Sequence, residues 1–239
     1  MTAWTKKGLI HEGKAKRVYQ TQEPSCVWIE YTDAVTAGNG ARREEIPGKG
    51  ILAGAICADV FRFLTQNGIA NHFVEAVSDS DHIARNVEIV PLEVVVRGTA
   101  AGSISQRLGI PPGTVFRKPL VEFYYKNDAL RDPLVTAGHI RELDLATPEE
   151  LVLIEQNALH VFQLLHRFFG QAQLTLIDTK LEYGLDALGQ LIVADEISPD
   201  TCRIWDAAER SSLDKDRFRR QENGVIEAYQ EVRRRLQTL

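Results

Sequence analysis

The chain has 239 residues, of which 44% are apolar and 26% charged, a composition typical of a globular protein rather than a disordered, fibrous or membrane protein. Its net charge of −5 and its mixed acidic and basic residues provide no basic surface of the kind that binds nucleic acid. The three cysteines form no CxxC pair, which argues against a disulfide framework or a zinc knuckle. No apolar run of some 18 residues predicts a membrane span. We therefore expect a cytoplasmic protein that binds neither nucleic acid nor membranes.

The first part of the chain is predicted to be short strands with one helix packed against them. The predicted elements are strands at 15–21 and 26–32, a long glycine-bearing loop over 33–50, a helix over 50–68, and strands at 71–78 and 87–98. The helix ends at Gly68, a residue type that commonly stops helices.

The second part mixes strands and helices. The predicted elements are a short helix within 99–109, a strand pair within 113–128, a polar loop at 126–136, a helix over 147–170, a hairpin at 174–198, and closing helices within 211–220 and 223–239. The helix over 147–170 carries the clearest signals, with Thr147 as a cap, Pro148 at its first position and Gly170 at its end.

The predicted hairpin at 174–198 carries charges that an ordinary buried hairpin lacks. Side chains alternate between the two faces of a strand, so Asp178, Lys180 and Glu182 share one face. A tight turn at 188–189 places Glu182 directly opposite Asp195, with Cβ atoms roughly 5 Å apart. The same alternation places Glu196 on the other face.

Two opposed carboxylates repel each other and require a cation between them. Lys180 supplies one positive charge, and Mg²⁺ is a second candidate because it binds to a few carboxylates together with water and substrate phosphates. A solvated sheet face with ordinary ion pairs explains the pattern equally well.

The segment "EGKAKRVY" places Gly13, Lys14 and Lys16 at the start of a strand. Glycine allows a phosphate to approach the backbone, and lysines neutralise its charge. A basic strand end at the surface is the alternative, and the Walker A pattern GxxxxGK[ST] is absent from the sequence.

A second candidate anion site follows the strand "EVVVRG", where Arg97 precedes small residues and Ser103 at a helix start. A guanidinium and a hydroxyl beside backbone N–H groups can bind phosphate. A capped strand-to-helix turn is the alternative. The loop with Lys126 and Asp132 is also polar, and ordinary turn chemistry explains it equally well.

Several blocks of the sequence, in the same order, resemble the SAICAR synthetase (phosphoribosylaminoimidazole-succinocarboxamide synthase) family. The blocks are "GKAKRVY" at 13–19, "TAGNGAR" at 36–42, "VPLEVVVRGTAAGS" at 90–103, "KNDALRDP" at 126–133, "IDTKLEYG" at 177–184, "DEISPDTCRIWD" at 195–206 and "DKDRFR" at 214–219. They cover nearly the whole chain.

The resemblance implies an α+β fold with antiparallel sheets and two lobes. An N-terminal, kinase-like or ATP-grasp-like ATP-binding lobe would span 1–90, and a substrate-binding lobe would span 91–239. The implied activity is an ATP- and Mg²⁺-dependent ligation of 5-amino-1-(5-phosphoribosyl)imidazole-4-carboxylate (CAIR) to L-aspartate. It yields SAICAR, ADP and phosphate in purine biosynthesis. The partners are these small molecules, and a homodimer is compatible with the resemblance.

The resemblance also assigns roles to the charged residues. ATP would be bound by Gly13, Lys14, Lys16 and Lys126, and Mg²⁺ by Glu182 and Asp195. The phosphate of the ribonucleotide would be bound by Arg97, Ser103 and Arg203. The reacting groups would be faced by Asp178, Lys180 and Asp132. The resemblance names no residue that binds L-aspartate.

Two departures limit the transfer of roles. Asn39 stands where some family members have Asp, and Thr201-Cys202 stands where many have Gly-Ser, in the loop that carries Arg203. Two other function classes remain open. A phosphotransferase would have a similar nucleotide lobe, although the kinase motifs GxGxxG, HRD and DFG are absent. A non-catalytic nucleotide-binding module would bind ATP without consuming it.

Overall fold

The structure, a computed structural model, describes residues 4–38 and 40–239, so Asn39 lies outside the described residues. In chain order the elements are β1 (Leu9–Glu12), β2 (Lys16–Gln20), β3 (Cys26–Tyr31), β4 (Ala34–Ala37), β5 (Arg42–Glu45), α1 (Lys49–Gln66), β6 (Phe73–Ala76), β7 (Asp81–Arg85), β8 (Glu88–Thr99), α2 (Ser103–Leu108), β9 (Val115–Tyr125), β10 (Leu134–Val135), α3 (Ala137–Glu142), α4 (Pro148–Gln171), β11 (Leu174–Leu185), β12 (Leu191–Ala194), β13 (Cys202–Asp206), α5 (Asp216–Arg219) and α6 (Val225–Leu236). A 3-10 turn spans Asp128–Leu130.

The first sheet has five antiparallel strands in the order β1-β2-β3-β7-β6. Strand β3 alternates as the sequence predicts, with Val27, Ile29 and Tyr31 buried. Helix α1 covers this sheet and packs against β3, β6 and β7. Its buried apolar side chains belong to the hydrophobic core.

The second sheet has the order β10-β9-β8-β11-β12, and β13 also pairs with β11. Strand β11 is central: β8 lies along one edge, while β13 and β12 share the other edge. Helix α4 packs on β8, β9 and β11. It has the predicted Thr147 cap and Pro148 at its start.

The two sheets are joined through the segment before β6. The amide of His72 donates to the carbonyl of Val193 over 2.9 Å, and the amide of Val193 donates to Ala70 over 3.1 Å. This short parallel bridge fixes the hairpin of β11 and β12 beside the first sheet. Lysines of β2 can therefore reach the end of β12.

Some predicted elements are wrong. Segment 33–50 is not a loop, because β4 and β5 pair as a hairpin. The predicted strand pair within 113–128 is the single strand β9. Its pairing with β8 is irregular between Arg97 and Thr99. Pro119 lies close to this irregularity and cannot donate a backbone hydrogen bond to the neighbouring strand. Strands β1, β7, β10 and β13 are additional, and β10 lies within the predicted loop 126–136. The helix predicted within 211–220 covers only Asp216–Arg219. Among the described residues no helix has the length and apolarity that a membrane crossing needs.

Candidate active site

Strand β11 places Asp178, Lys180 and Glu182 on one face, as the alternation predicts. The alternative of a solvated face is wrong, because Asp178 is only 3% exposed and Glu182 only 1%. Buried residues occur at both odd and even positions of β11, so both of its faces are covered. Buried carboxylates require cationic partners. Asp178 and Glu182 have different cationic partners, which are described in turn below.

Glu182 and Asp195 lie in one network of lysines. Lys126, just after β9, contacts Glu182 with 2.6 Å between Nζ and Oε2. Lys180 binds the other oxygen of Glu182 and lies 3.6 Å from Asp195 Oδ2. Lys16, at the start of β2, binds Asp195 Oδ1. The ammonium group of Lys180 thus contacts both Glu182 and Asp195, the two carboxylates that the sequence analysis paired.

The predicted register of the hairpin is wrong by one residue. Glu182 lies opposite Ala194, because the turn is a five-residue loop between Leu185 and Leu191. Asp195 comes after the end of β12 and has a left-handed backbone, with φ of 63°. The chain bends there, so its carboxylate still reaches Lys180.

The same bend invalidates the alternation that separates Glu196 from Asp195. Glu196 Oε1 lies 3.6 Å from Lys16 Nζ, so both carboxylates contact one lysine. A second oxygen of Glu196 accepts a hydrogen bond from Ser198 Oγ over 3.2 Å. Glu196 therefore belongs to the lysine network and not to the opposite face.

The network holds Lys16, Lys180 and Asp195 in their charged forms. Burial lowers the pKa of Lys16, but Asp195 and Glu196 outweigh this effect and raise it above the ordinary value. Burial is likewise outweighed at Lys180, whose pKa Glu182 and Asp195 raise. At Asp195 burial opposes ionisation, yet Lys16 and Lys180 hold the pKa of the carboxyl well below its usual range. These lysines remain cationic and Asp195 remains anionic near neutral pH.

Glu93 is a member of this network that sequence reasoning missed. It lies on β8 directly opposite Glu182, and its carboxylate is 3.1 Å from Lys180 Nζ. The signal was present in "VPLEVVVRG", where Glu93 and Arg97 share the face of β8 opposite to the buried Leu92 and Val94.

The donor set of the network fits a divalent cation. Three lysines (Lys16, Lys126, Lys180) face four carboxylates (Glu93, Glu182, Asp195, Glu196), which leaves one negative charge. Over residues 4–38 and 40–239, no three His, Cys, Asp or Glu side chains converge as metal ligands. A pair of carboxylates completed by substrate and water is nevertheless the arrangement that Mg²⁺ uses.

A second cluster is built on arginines around Asp178. One oxygen of Asp178 accepts from Arg97 Nη1 over 2.8 Å and from Arg203 Nη1 over 2.7 Å. Arg97 also donates to Ser103 Oγ over 3.2 Å. Asp216 binds Arg203 Nε over 2.8 Å. The three residues predicted to bind phosphate therefore lie together, with Asp178 between the two arginines.

Gly102 allows Arg203 to reach this cluster. A Cβ at position 102 would stand 2.4 Å from Arg203 Nη2, and the backbone there has φ of 62°, a conformation that favours glycine. The Thr201-Cys202 pair leaves Arg203 in this position. The thiol of Cys202 is buried and lies 3.1 Å from Thr179 Oγ1.

Three predicted residues lie outside both networks. Gly13 forms the turn between β1 and β2, where its amide donates to Lys16 O over 2.8 Å. Lys14 contacts Asp128 over 2.6 Å, and both side chains are exposed. Asp132 accepts from the amide of Asn127 over 2.9 Å and closes the loop after Lys126. Their roles toward substrates stay predictions.

A buried carboxyl beneath the arginine cluster gives a pH-dependent prediction. Asp214 accepts from the amides of Ile204 and Asp216 over 2.8 and 2.7 Å, and burial followed by the charge of Asp216 raises its pKa to about 7. Because the folded-state pKa lies above the unfolded value, the folded state favours the protonated form. The stability this gives is complete below pH about 4 and is lost as pH rises through about 7.

Asn keeps only one of the two acceptor oxygens of Asp214, so Asp214→Asn is expected to lower stability near pH 4. Because it cannot ionise, it should lose less stability than the unaltered chain as pH rises through 7, by on the order of 1 kcal/mol or more. Urea denaturation across this pH range measures the difference. Asp206→Asn is the control, because the amide of Glu209 and Arg235 lower the pKa of Asp206, so neutralising it should bring no gain as pH rises. A difference between Asp214→Asn and the unaltered chain that does not vary with pH contradicts the prediction.

Lysines among buried carboxylates, next to arginines that share a carboxylate, are typical of enzymes that act on phosphorylated small molecules. The comparisons define this class further. The sequence model of the SAICAR synthetase family matches residues 9–236. Phosphoribosylaminoimidazole-succinocarboxamide synthase of Lysinibacillus sphaericus is 49% identical over 232 residues, which are 97% of this chain and 98% of that protein.

Solved structures agree with this match. The crystal structure of phosphoribosylaminoimidazole-succinocarboxamide synthase from Ehrlichia chaffeensis has a TM-score of 0.94 at 40% identity, covering 97% of this chain and 99% of that one. A SAICAR synthetase (type 2) in complex with ADP has a TM-score of 0.93 at 39% identity, covering 96% and 97%. The chain belongs to the SAICAR synthetase family, and the resemblance and the α+β fold with antiparallel sheets are confirmed.

Proposed function

We propose that this chain joins CAIR to L-aspartate through an acyl-phosphate intermediate, with the two charged networks as its active site. The ATP-dependent ligase activity, which forms SAICAR, ADP and phosphate in purine biosynthesis, follows from membership of the family. The related structure that contains ADP supports nucleotide binding by this chain.

The acyl-phosphate route follows from the chemistry of a carboxylate, which is a poor acyl donor. An oxygen of the CAIR carboxylate attacks the γ-phosphorus of ATP, and the bond to ADP breaks. The amine of L-aspartate then attacks the acyl carbon, an amide forms, and phosphate leaves with one of the original carboxylate oxygens. The ammonium group of L-aspartate loses two protons in all, and the amide nitrogen keeps the third. Positioning and charge stabilisation dominate such phosphoryl transfers.

The observation that carries the proposal is the convergence of Lys16, Lys126 and Lys180 on Glu182 and Asp195. Lys16 and Lys126, with Lys14 and the backbone at Gly13, bind the ATP phosphates. Lys180 faces the reacting carboxylate and stabilises the charge that develops on the transferring phosphoryl group.

Glu182 and Asp195 would hold Mg²⁺, which would supply positive charge to neutralise the phosphoryl oxygens. The excess of one carboxylate over lysine in the network supports this assignment. Asp178 and Asp132 flank the imidazole and the reacting carboxylate. Arg97, Ser103 and Arg203 bind the phosphate of the ribonucleotide.

The two sheets suggest the lobes. The first sheet and α1 form the ATP-binding lobe within 1–90, and the second sheet forms the substrate-binding lobe within 91–239.

We also propose a cytoplasmic location, supported by three free cysteines at positions 26, 57 and 202. We propose a homodimer because apolar side chains are exposed on β9 and β10, Val115 and Leu134 among them. Analytical ultracentrifugation should then give twice the mass of one chain.

Isotope transfer tests the acyl-phosphate route. CAIR labelled with ¹⁸O in both carboxylate oxygens is incubated with the protein, ATP, Mg²⁺ and L-aspartate, and the phosphate is analysed by mass spectrometry. One ¹⁸O per released phosphate is expected, because the carboxylate oxygen remains on phosphorus when the amide forms. Unlabelled phosphate alongside labelled amide product excludes the acyl phosphate.

A further inference from the structure

Arg107 lies beside the arginine cluster and has no role in the reaction described above. It is on α2, one turn after Ser103, so the two side chains share a face of the helix. Its Nη1 donates to Tyr124 Oη over 2.8 Å and lies 3.4 Å from Ser103 Oγ. Arg97 Nη2 donates to the same two hydroxyls, over 3.3 Å to Tyr124 and 3.2 Å to Ser103. Two guanidinium groups therefore meet at two shared hydroxyls.

A single carboxylate, that of Glu122, bridges the two arginines. Its Oε2 accepts from Arg97 Nε over 2.7 Å and from Tyr124 Oη over 2.9 Å, and its Oε1 binds Arg107. An anion held between two guanidiniums and a hydroxyl is also how a phosphate group is bound. The Glu122 carboxylate therefore accepts from the same kinds of donor that would bind a phosphate ester.

Charge balance shows what phosphate binding requires. The three arginines of the cluster (Arg97, Arg107, Arg203) all have carboxylate partners, which are Asp178, Glu122 and Asp216, and Asp216 is also contacted by Arg219 and Arg220. A dianionic phosphate gains little from guanidinium groups that are already paired with carboxylates unless one of them changes partner. The side chains of Asp178 and Asp216 are 4% and 6% exposed, whereas those of Glu122 and Arg107 are 13% and 32% exposed. The pair formed by Arg107 and Glu122 is the least costly to separate, because water can replace its contacts.

We propose that Arg107 and Tyr124 complete the ribonucleotide-phosphate subsite, and that the phosphate takes Arg107 from Glu122. The inference rests on the proposed function, since it assumes that Arg97, Ser103 and Arg203 receive that phosphate. Glu122 then acts as an internal counter-ion: it orders both arginines before the substrate arrives and gives up one of them afterwards. A ligand without the phosphate gains nothing from Arg107.

Calorimetric titration with CAIR and with its dephosphorylated nucleoside separates a phosphate contact from a structural effect. Arg107→Met is expected to weaken CAIR binding at least tenfold and to leave the Kd of the nucleoside unchanged. Arg117→Met is the matched control, because Arg117 is an exposed arginine of β9 and is not one of the cluster residues described above. It should leave both Kd values unchanged.

Equal weakening of both ligands by Arg107→Met, or no weakening of either, overturns the role of Arg107. Failure of the proposed function is visible separately, since the unaltered chain would then show no preference for CAIR over the nucleoside. Glu122→Gln tests the exchange: it keeps an acceptor for Arg97 but removes the competing charge, so CAIR should bind more tightly while the nucleoside is unaffected. Weaker CAIR binding by Glu122→Gln overturns the exchange. Arg107→Lys, which keeps the charge, should recover part of the lost affinity.

Discussion

Lys180→Met is expected to lower kcat at least about 1000-fold, which corresponds to roughly 4 kcal/mol of transition-state stabilisation. Lys180 contacts Glu93, Glu182 and Asp195 at once, and in the proposed reaction it faces the phosphoryl group as charge develops. Methionine has a side chain of similar volume but lacks the ammonium group. Initial rates of SAICAR formation at saturating substrates measure the effect.

The loss of Lys180 also leaves Glu182 and Asp195 with less positive charge between them. We therefore expect Lys180→Met to unfold at a lower temperature than the unaltered chain and to regain more of that temperature on addition of Mg²⁺. Lys118→Met is the control, because Lys118 is exposed on β9, and it should retain full activity. A kcat within tenfold of the unaltered chain contradicts the assigned role of Lys180.

The second large effect concerns the metal. Glu182→Gln and Asp195→Asn should each keep the fold and raise the Mg²⁺ concentration for half-maximal activity at least tenfold, because each removes one anionic ligand of the proposed pair. Activity should recover in part at high Mg²⁺. Titration of initial rate with Mg²⁺ at fixed ATP gives the values.

Glu196→Gln is the matched control for both metal variants. Glu196 contacts Lys16 as Asp195 does, but we assign it no metal contact, so its Mg²⁺ dependence should stay close to that of the unaltered chain. An unchanged Mg²⁺ requirement in both Glu182→Gln and Asp195→Asn refutes the metal assignment. If Glu196→Gln raises the Mg²⁺ requirement equally, then loss of any negative charge near Lys16 is enough to raise it. Glu182 and Asp195 would then not be specific metal ligands.

Local patterns predicted much of the architecture. The Thr147 cap, Pro148 and helical spacing correctly place α4, and the apolar spacing over 50–68 correctly predicts α1. Alternation correctly places Asp178, Lys180 and Glu182 on one face. These features depend on neighbouring residues, whose geometry is set by the periods of helix and strand.

Turn geometry was not predictable in the same way. Two turns differing by one residue give different registers, and the five-residue loop after Leu185 shifts Asp195 out of the predicted pairing. Tertiary contact then restores the approach to Lys180, because the left-handed backbone at Asp195 redirects the chain. Such a bend follows from packing around the loop.

Long-range contacts were also beyond the local sequence pattern. Lys16 meets Asp195 across 179 positions of the chain, and Lys126 meets Glu182 across 56. Only the arrangement of the sheets brings these lysines to the carboxylates. Glu93 is different: applying to β8 the alternation used for β11 would have placed it with Arg97 on one face.

Product analysis with each substrate omitted in turn tests the central claim most directly. The purified protein is incubated with ATP, Mg²⁺, CAIR and L-aspartate, and ADP, phosphate and SAICAR are quantified. The three products should form in equal amounts, and none should form when any of the three substrates is left out. ATP consumption with CAIR alone, unaffected by L-aspartate and without an amide product, would identify a phosphotransferase. ATP binding without consumption in any mixture would identify a nucleotide-binding module, and either result would contradict the ligase.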